Sequence, residues 1–233
     1  MGTIGALATF KDRIGIVEDT INSLIDQLDL LLIYCNDEES YHSARRTLAG
    51  NVKKFRGVNI TDRGKFFFCK ELKGLDHVYF SMDDDLIYPK DYVSETLKSL
   101  QKYNQKAIVS YHGKKLIERG VKSYYAKLSD RQYRNDYRVL DRVTDDVAVD
   151  IVGAGCTAFN LQYFCPEDLK EDMMTDIEVS CMAERENKKR IVLKHRQGWV
   201  IENPKMVNKW TIWKHFQKTS DFRQTQLLNE TFK

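Results

Sequence analysis

Proline is scarce, at three residues in 233, and there is no long Gly/Ser tract. Little room is left for a flexible linker, so the chain fits one sizeable domain, or one domain with an appendage. Cysteine carries no pattern: Cys35, Cys69, Cys156, Cys165 and Cys181 form no CxxC pair, and several sit in apolar segments. That argues against cysteine-bound metal and reads as reduced thiols in the core of a cytosolic protein. No run approaches the ~20 apolar residues that span a bilayer. The stretch "MGTIGALATF" lacks the charged region of a signal peptide, and Ala6 stands where N-myristoylation wants Ser or Thr. The expected location is cytoplasmic, at most peripheral on the inner membrane face. An excess of one charge is missing too. With 37 Lys and Arg against 34 Asp and Glu, the net +3 does not argue for nucleic acid, and none is expected as a partner.

What is present is an alternation of apolar runs and helical periods. "IGALATF" (4–10) reads as a buried strand, and Ile14, Val17, Ile21, Leu24, Ile25 and Leu28 then recur at helical spacing. "LLLIYCND" (30–37) is a second apolar run, so the chain opens as strand, helix, strand, the start of a parallel α/β sheet. "GVNI" (57–60) is expected as a short strand, "KFFFCKEL" (65–72) as a helix, and "DHVYFSM" (76–82) as a strand. "DYVSETLKSLQKYN" (91–104) places Val93, Thr96, Leu97, Leu100 and Tyr103 on one helical face, with Asp91 as N-cap. "KAIVSYHG" (106–113) follows as a strand. From 114 to 142 nine Lys or Arg and four Asp or Glu mix with Tyr124, Tyr125, Tyr133 and Tyr137 in a basic insertion of weak period. "VAVDIVGAGCTAFN" (147–160) restores strand character, 172–187 reads as a helix and "KRIVLKH" (189–195) as a last strand. "NKWTIWKHFQK" (208–218) is an aromatic, basic tail.

The segment "VYFSMDDDLIYP" (78–89) puts Asp83, Asp84 and Asp85 at the end of an apolar run. Adjacent carboxylates ionise together at neutral pH only where a cation offsets their repulsion. In parallel α/β sheets ligands bind beyond the carboxyl ends of the strands, which is where this cluster falls. Either it is a solvated turn, or it is a platform for a hard divalent cation and substrate phosphates.

"ATFKDR", "YCND", "DRGKF", "YFSMDDDLIYPKDY" and "MMTDIEVS" occur in that order. Together they resemble a GT-A fold glycosyltransferase, close to the family 2 enzymes that build bacterial surface polysaccharides, over residues 4 to about 200. The fold implied is a mostly parallel central sheet flanked by helices, with the basic Tyr-rich insertion and a C-terminal helical tail. Residues 1–205 would form the GT-A domain, nucleotide-binding over 1–112 and acceptor-side over 113–205, with a tail at 206–233. The resemblance implies that Thr9, Phe10, Lys11 and Arg13 receive the nucleotide. Asn36 and Asp37 would contact a base, expected to be uracil, and Gly64 and Lys65 would face the same ligand. Asp83 and Asp84 would approach the nucleotide, Asp83 at the ribose or a metal-bound water. Asp83 and Asp85 would hold Mn²⁺ or Mg²⁺, with His195 as a further metal ligand. Gly153, Ala154 and Gly155 would admit the donor sugar against bare backbone, and Asp176 would match the catalytic base of inverting members. The partners implied are a nucleotide-sugar donor, UDP-linked by this resemblance, and a glycan or lipid-linked acceptor.

Each residue has a plainer reading. Asp176 could simply complement a helix N-terminus, and Asp172 competes with it as base or stands as the N-cap. His195, between Lys194 and Arg196, could be an exposed polar residue, with its neighbours pairing to the diphosphate. "HRQGW" is also similar to an HxxG element of retaining enzymes, which keeps stereochemistry open. His112 is either an acceptor-site residue or the end of a strand. The insertion either clasps an acidic acceptor or is a solvated surface. Trp210, Trp213 and Phe216 either pack the tail onto the body or, with Lys209, Lys214 and Lys218, touch anionic lipid. Rival functions are a GT-A domain that binds without turnover and a haloacid-dehalogenase-type phosphatase. The latter wants DxDx[TV] near the first strand, whereas here the aspartates lie later and Leu86 follows them.

Overall fold

The computed structural model of the protein describes residues 1–43, 50–125, 134–207, 209–216 and 218–233; Tyr133 lies outside them. The first half runs β1 (Gly2–Thr9), α1 (Val17–Leu24), β2 (Leu30–Cys35), α2 (Glu38–Ser43), β3 (Val52–Arg56), α3 (Cys69–Leu72), β4 (His77–Met82), β5 (Leu86–Ile87) and α4 (Tyr92–Gln101). It continues with β6 (Ile108–Ser110), β7 (Gly113–Leu116), β8 (Arg134–Tyr137), β9 (Val147–Ala148), β10 (Ile151–Val152) and β11 (Cys156–Asn160). Last come α5 (Thr175–Arg185), β12 (Arg190–Val192), β13 (Ile201–Glu202), α6 (Ile212–Phe216) and α7 (Phe222–Thr231).

The central sheet has the order β3-β2-β1-β4-β11-β6-β12-β9, in which only β11 and β9 run against the rest. The expected α/β architecture, a mostly parallel sheet flanked by helices, is what the chain adopts. Alternate residues of one strand enter opposite cores: Leu31, Ile33 and Cys35 pack with α1 and α4, while Leu32 and Tyr34 pack with Phe66, Phe68 and α5. Burial on both faces is why β1, β2 and β4 read as unbroken apolar runs.

Several elements differ from expectation. The strand near residue 57 is β3, one step earlier. It is an edge strand of which only Val52 is buried, and its lysines and arginine hide the strand period while guarding the open edge. Residues 65–72 are not one helix: a 3-10 turn (Thr61–Phe66) precedes the short α3. The first helix starts at Val17, leaving Ile14 exposed. Asp91 makes no side-chain cap; its carboxylate instead accepts from Trp199 Nε1 at 3.1 Å. Helix α7 lies in the tail that was expected to be helical, although its sequence FRQTQLLNET is mostly polar. It docks through Leu228 and Phe232 against Ile177 and Cys181 of α5, each large side chain contributing about 2 kcal/mol of apolar burial.

Candidate active site

Strands β1, β2, β4 and β6 end on one edge of the sheet, and the antiparallel β11 begins there, its Cys156 paired with Met82. The segments after Thr9, Cys35, Met82 and Ser110, and the glycines before Cys156, are therefore brought together. The Asp83–Asp85 loop is pinned from four sides. Asp83 N donates to Gly155 O (3.0 Å) and to the Tyr88 hydroxyl (3.0 Å), which itself donates to Gly155 O (2.6 Å). Thr20 Oγ1 donates to the carbonyls of Asp84 (3.0 Å) and Leu86 (2.8 Å). From the far end of the chain, Asn203 N donates to Asp85 O (2.8 Å), continuing the β5–β13 pairing.

Two buried cations of the chain itself face these carboxylates. Lys65 Nζ bonds Asp83 Oδ1. Arg13 places Nε 3.8 Å from Asp84 Oδ1 and Nη2 3.3 Å from Asp85 Oδ2. Burial pushes Asp84 up to about 6, although Arg13 opposes it; Thr9 Oγ1 also favours the ionised form without reaching hydrogen-bond geometry. Asp85 is pushed up to about 7, by burial first and then by repulsion from Asp83 and Asp84. Three carboxylates thus share two cations, and the loop remains a place for more positive charge.

Lys65 leads to the second part of the site. Burial alone would lower its pKa, but the carboxylates of Asp83 and Asp62, and then Asp176, outweigh burial and raise it. Asp62 caps the start of α5: its Oδ2 accepts from Thr175 N (3.2 Å) and Oγ1 (2.6 Å), and its Oδ1 from Met173 N (2.8 Å). Asp176, in the first turn of α5, accepts from Ala154 N through Oδ1 (2.7 Å), tying the helix to the glycine loop. Its competitor Asp172 is exposed and paired with Arg63 Nη2 at 2.6 Å. Tyr125 lies close by. Burial raises its phenol well above the ordinary value, and the Asp176 and Asp62 carboxylates push the same way.

The other expected residues are placed as follows. Phe10 lies under the Arg13 guanidinium, 5.5 Å from ring centroid to Cζ, and Lys11 is exposed. Asp37 accepts from Lys11 N (2.8 Å) and Ser40 N (2.8 Å), so it joins two loops and caps α2. Asn36 uses its amide on the main chain of Ile60 and Thr61, each at 3.0 Å. Gly64 is bare because a Cβ there would lie 2.7 Å from the Tyr34 ring and 2.9 Å from Ala8 Cβ; it packs against the sheet. The glycine loop is likewise filled from within. A Cβ on Gly155 would fall 1.7 Å from Asp83 Oδ2, and one on Gly153 would fall 2.7 Å from His112 Cδ2. The bare backbone expected to admit a sugar instead admits the Asp83 carboxylate and the His112 ring. Burial, helped by Lys114, lowers His112 to about 3 against the pull of Asp136 and Asp83, so its ring is neutral at neutral pH.

His195 does not fit a metal ligand as placed. It is buried, its Nδ1 meets Leu193 O at 2.7 Å and its Nε2 meets Arg138 O at 3.2 Å, so both ring nitrogens are directed at carbonyls. Residues that sequence reasoning passed over include Tyr88, Thr20 and Asp62. No local signal marks them, since their partners lie up to 113 residues away. The same holds for the segment after β13: Met206 Sδ and Trp210 O both accept from Arg13, the latter at 2.9 Å, and Phe216 stacks on Tyr125 at 4.8 Å and 9°.

Among the described residues no group of three or more His, Cys, Asp or Glu side chains is placed to hold a metal ion by itself. Asp83 and Asp85 do fit an ion that takes one or two carboxylates and completes its shell with phosphate and water. No protein-family model matches the chain, and no curated protein does. Among solved structures, it is similar to the mannosyltransferase PcManGT from Pyrobaculum calidifontis, in complex with GDP-Man and Mn²⁺. That likeness has 12% identity and a TM-score of 0.51 over 83% of this chain and 54% of that one. The chain thus spans about half of that protein's length. A second likeness, at a TM-score of 0.45 and 12% identity, covers 80% of this chain and 83% of a 4-diphosphocytidyl-2C-methyl-D-erythritol synthase from Anaerococcus prevotii DSM 20548. At such identity the first likeness establishes the fold alone, and the fold is GT-A-like.

Proposed function

We propose that the chain is a divalent-metal-dependent glycosyltransferase. It moves a sugar from a nucleotide-sugar to a hydroxyl of a glycan or lipid-linked acceptor, with inversion, in the assembly of a bacterial surface polysaccharide. The observation that carries this reading is the pairing of two carboxylate sets at one sheet edge. Asp83–Asp85 sits among Lys65 and Arg13, and a separate carboxylate, Asp176, is held across Lys65 on the glycine loop. Asp83 and Asp85 would hold Mn²⁺ or Mg²⁺, which when bound supplies Lewis-acid stabilisation to the departing diphosphate. Arg13 and Lys65 add fixed positive charge where that diphosphate's charge grows. Asp176 takes the proton of the acceptor hydroxyl; Asp172, bound to Arg63, is the poorer candidate. Thr9, Phe10 and Lys11 lie on the nucleotide side, and Asn36 and Asp37 act there by holding loops.

The donor nucleotide is proposed to be UDP. The mannosyltransferase neighbour was solved with GDP-Man, so guanosine donors belong in the same trial. The test is nucleotide release from a panel of UDP- and GDP-sugars with Mn²⁺, Mg²⁺ or EDTA. Slow release from one donor that EDTA stops is the expected result. No release from any donor, with calorimetry detecting neither UDP·Mn²⁺ nor GDP·Mn²⁺ binding, overturns the reading.

A further inference from the structure

The segment after β13 is fixed to the site along one side and uncovered along the other. Its fixed side consists of Met206, buried against Arg13, the Trp210 carbonyl on Arg13 Nη2 at 2.9 Å, and Phe216 on Tyr125. Its open side presents Val207, Trp210 and Trp213, which are 74%, 45% and 50% exposed, together with exposed Lys209, Lys214 and Lys218. From residue 204 to 220 there is no Asp or Glu. The described residues of this segment therefore leave two indoles in solvent amid charge of one sign.

We propose that residues 204–220 dock the protein on a bilayer surface that carries anionic lipid, with the exposed indoles of Trp210 and Trp213 entering the headgroup layer. Indoles combine an apolar body with one polar N–H and favour that layer, while lysines take up charge from a diffuse anionic surface. The alternatives suit these residues less. Protein interface cores are depleted in lysine, and phosphate-reading surfaces favour the guanidinium fork, which this segment lacks. The anchors at Arg13 and at Tyr125, beside Asp176, put the docked segment along the mouth of the candidate active site. On the reading proposed above, the acceptor is then the lipid-linked one, met at the membrane surface.

The test is co-sedimentation of the full chain with phosphatidylcholine vesicles, alone or with about one third phosphatidylglycerol. Binding to the anionic vesicles only is expected, with a blue shift of tryptophan emission and release as salt rises. Each lysine is worth about fivefold in partitioning, so the triple variant Lys209→Ala, Lys214→Ala, Lys218→Ala loses about a hundredfold. Trp213→Ala loses about tenfold. Equal binding to neutral vesicles, wild-type binding by the triple variant, or binding that survives about 1 M salt overturns the proposal. So does capture of single-stranded DNA without capture of vesicles. Nucleotide·Mn²⁺ binding on the same preparation separates the two readings: vesicle binding lost with nucleotide binding intact sinks only this one, and the converse sinks only the transferase.

Discussion

Asp83 and Asp85 stand two residues apart in one loop, yet different parts of the molecule neutralise them. Asp83, with its side chain 41% exposed, is met by Lys65 from a turn that Asp62 ties to the start of α5. Asp85, 20% exposed, is met by Arg13, whose guanidinium is also held by Met206 and Trp210 from the C-terminal segment. The first arrangement is closed by the sheet and one helix. The second is complete only when the chain returns after β13. The loop is therefore coupled on one side to the candidate base and on the other to the segment that lines the mouth.

The largest expected effect separates chemistry from binding on the Asp83 side. Asp176→Asn should slow sugar transfer by about 10²–10⁴-fold while nucleotide·Mn²⁺ affinity, followed by calorimetry, stays near wild type. A parallel loss of affinity would mean that Asp176 only holds the glycine loop. Next come the two cations. Arg13→Met leaves the buried Asp84 and the mostly buried Asp85 uncompensated and should cost about 3–5 kcal/mol in urea unfolding, whereas Lys65→Met, facing an Asp83 side chain that solvent reaches, should cost less. Only Arg13→Met should also expose the segment after residue 203 to limited proteolysis; equal cleavage in both variants would break the contrast drawn here. Gly155→Ala is narrower. Its Cβ would displace the Asp83 carboxylate and should weaken nucleotide·Mn²⁺ binding about tenfold, leaving the Arg13–Asp85 pair in place. Unchanged binding would remove Asp83 from the metal set.

The smallest effect is a pH dependence. His112 stays neutral in the fold, at about 3 against an ordinary 6.5, so the unfolded chain takes up the extra proton. Its contribution to stability is complete above pH 6.5 and is lost as the pH falls toward 3. His112→Gln should therefore flatten the acid limb of stability, by about 0.8 kcal/mol at pH 6 relative to pH 8. Identical limbs in the two proteins would show that the ring is accessible to protons.

The legible parts share a physical character. β1, β2 and β4 are buried on both faces, and α4 buries one face, so their periods survive in the sequence. The carboxylate cluster is legible because adjacent like charges need an explanation wherever they fall. β3 lies earlier than its apolar signal because an edge strand is written in charged residues, and the bounds of α7 within the helical tail are not legible because that helix buries the polar Gln224 and Thr225 beside Leu228. The surroundings of His195 are not legible because proximity to strand ends in sequence says nothing about which atoms a ring nitrogen meets.

By itself the sequence determined the α/β layout, the edge on which the functional loops meet, and the three aspartates that demand positive charge. Only the tertiary structure decided which cations supply that charge, which of Asp172 and Asp176 is already paired, and what fills the space at Gly153 and Gly155. The reason lies in range. Hydrophobic period and charge repulsion act between near neighbours and are written locally. The bonds from Asp62 to Thr175 and from Arg13 to Trp210 join residues more than a hundred positions apart, and only folding makes them neighbours.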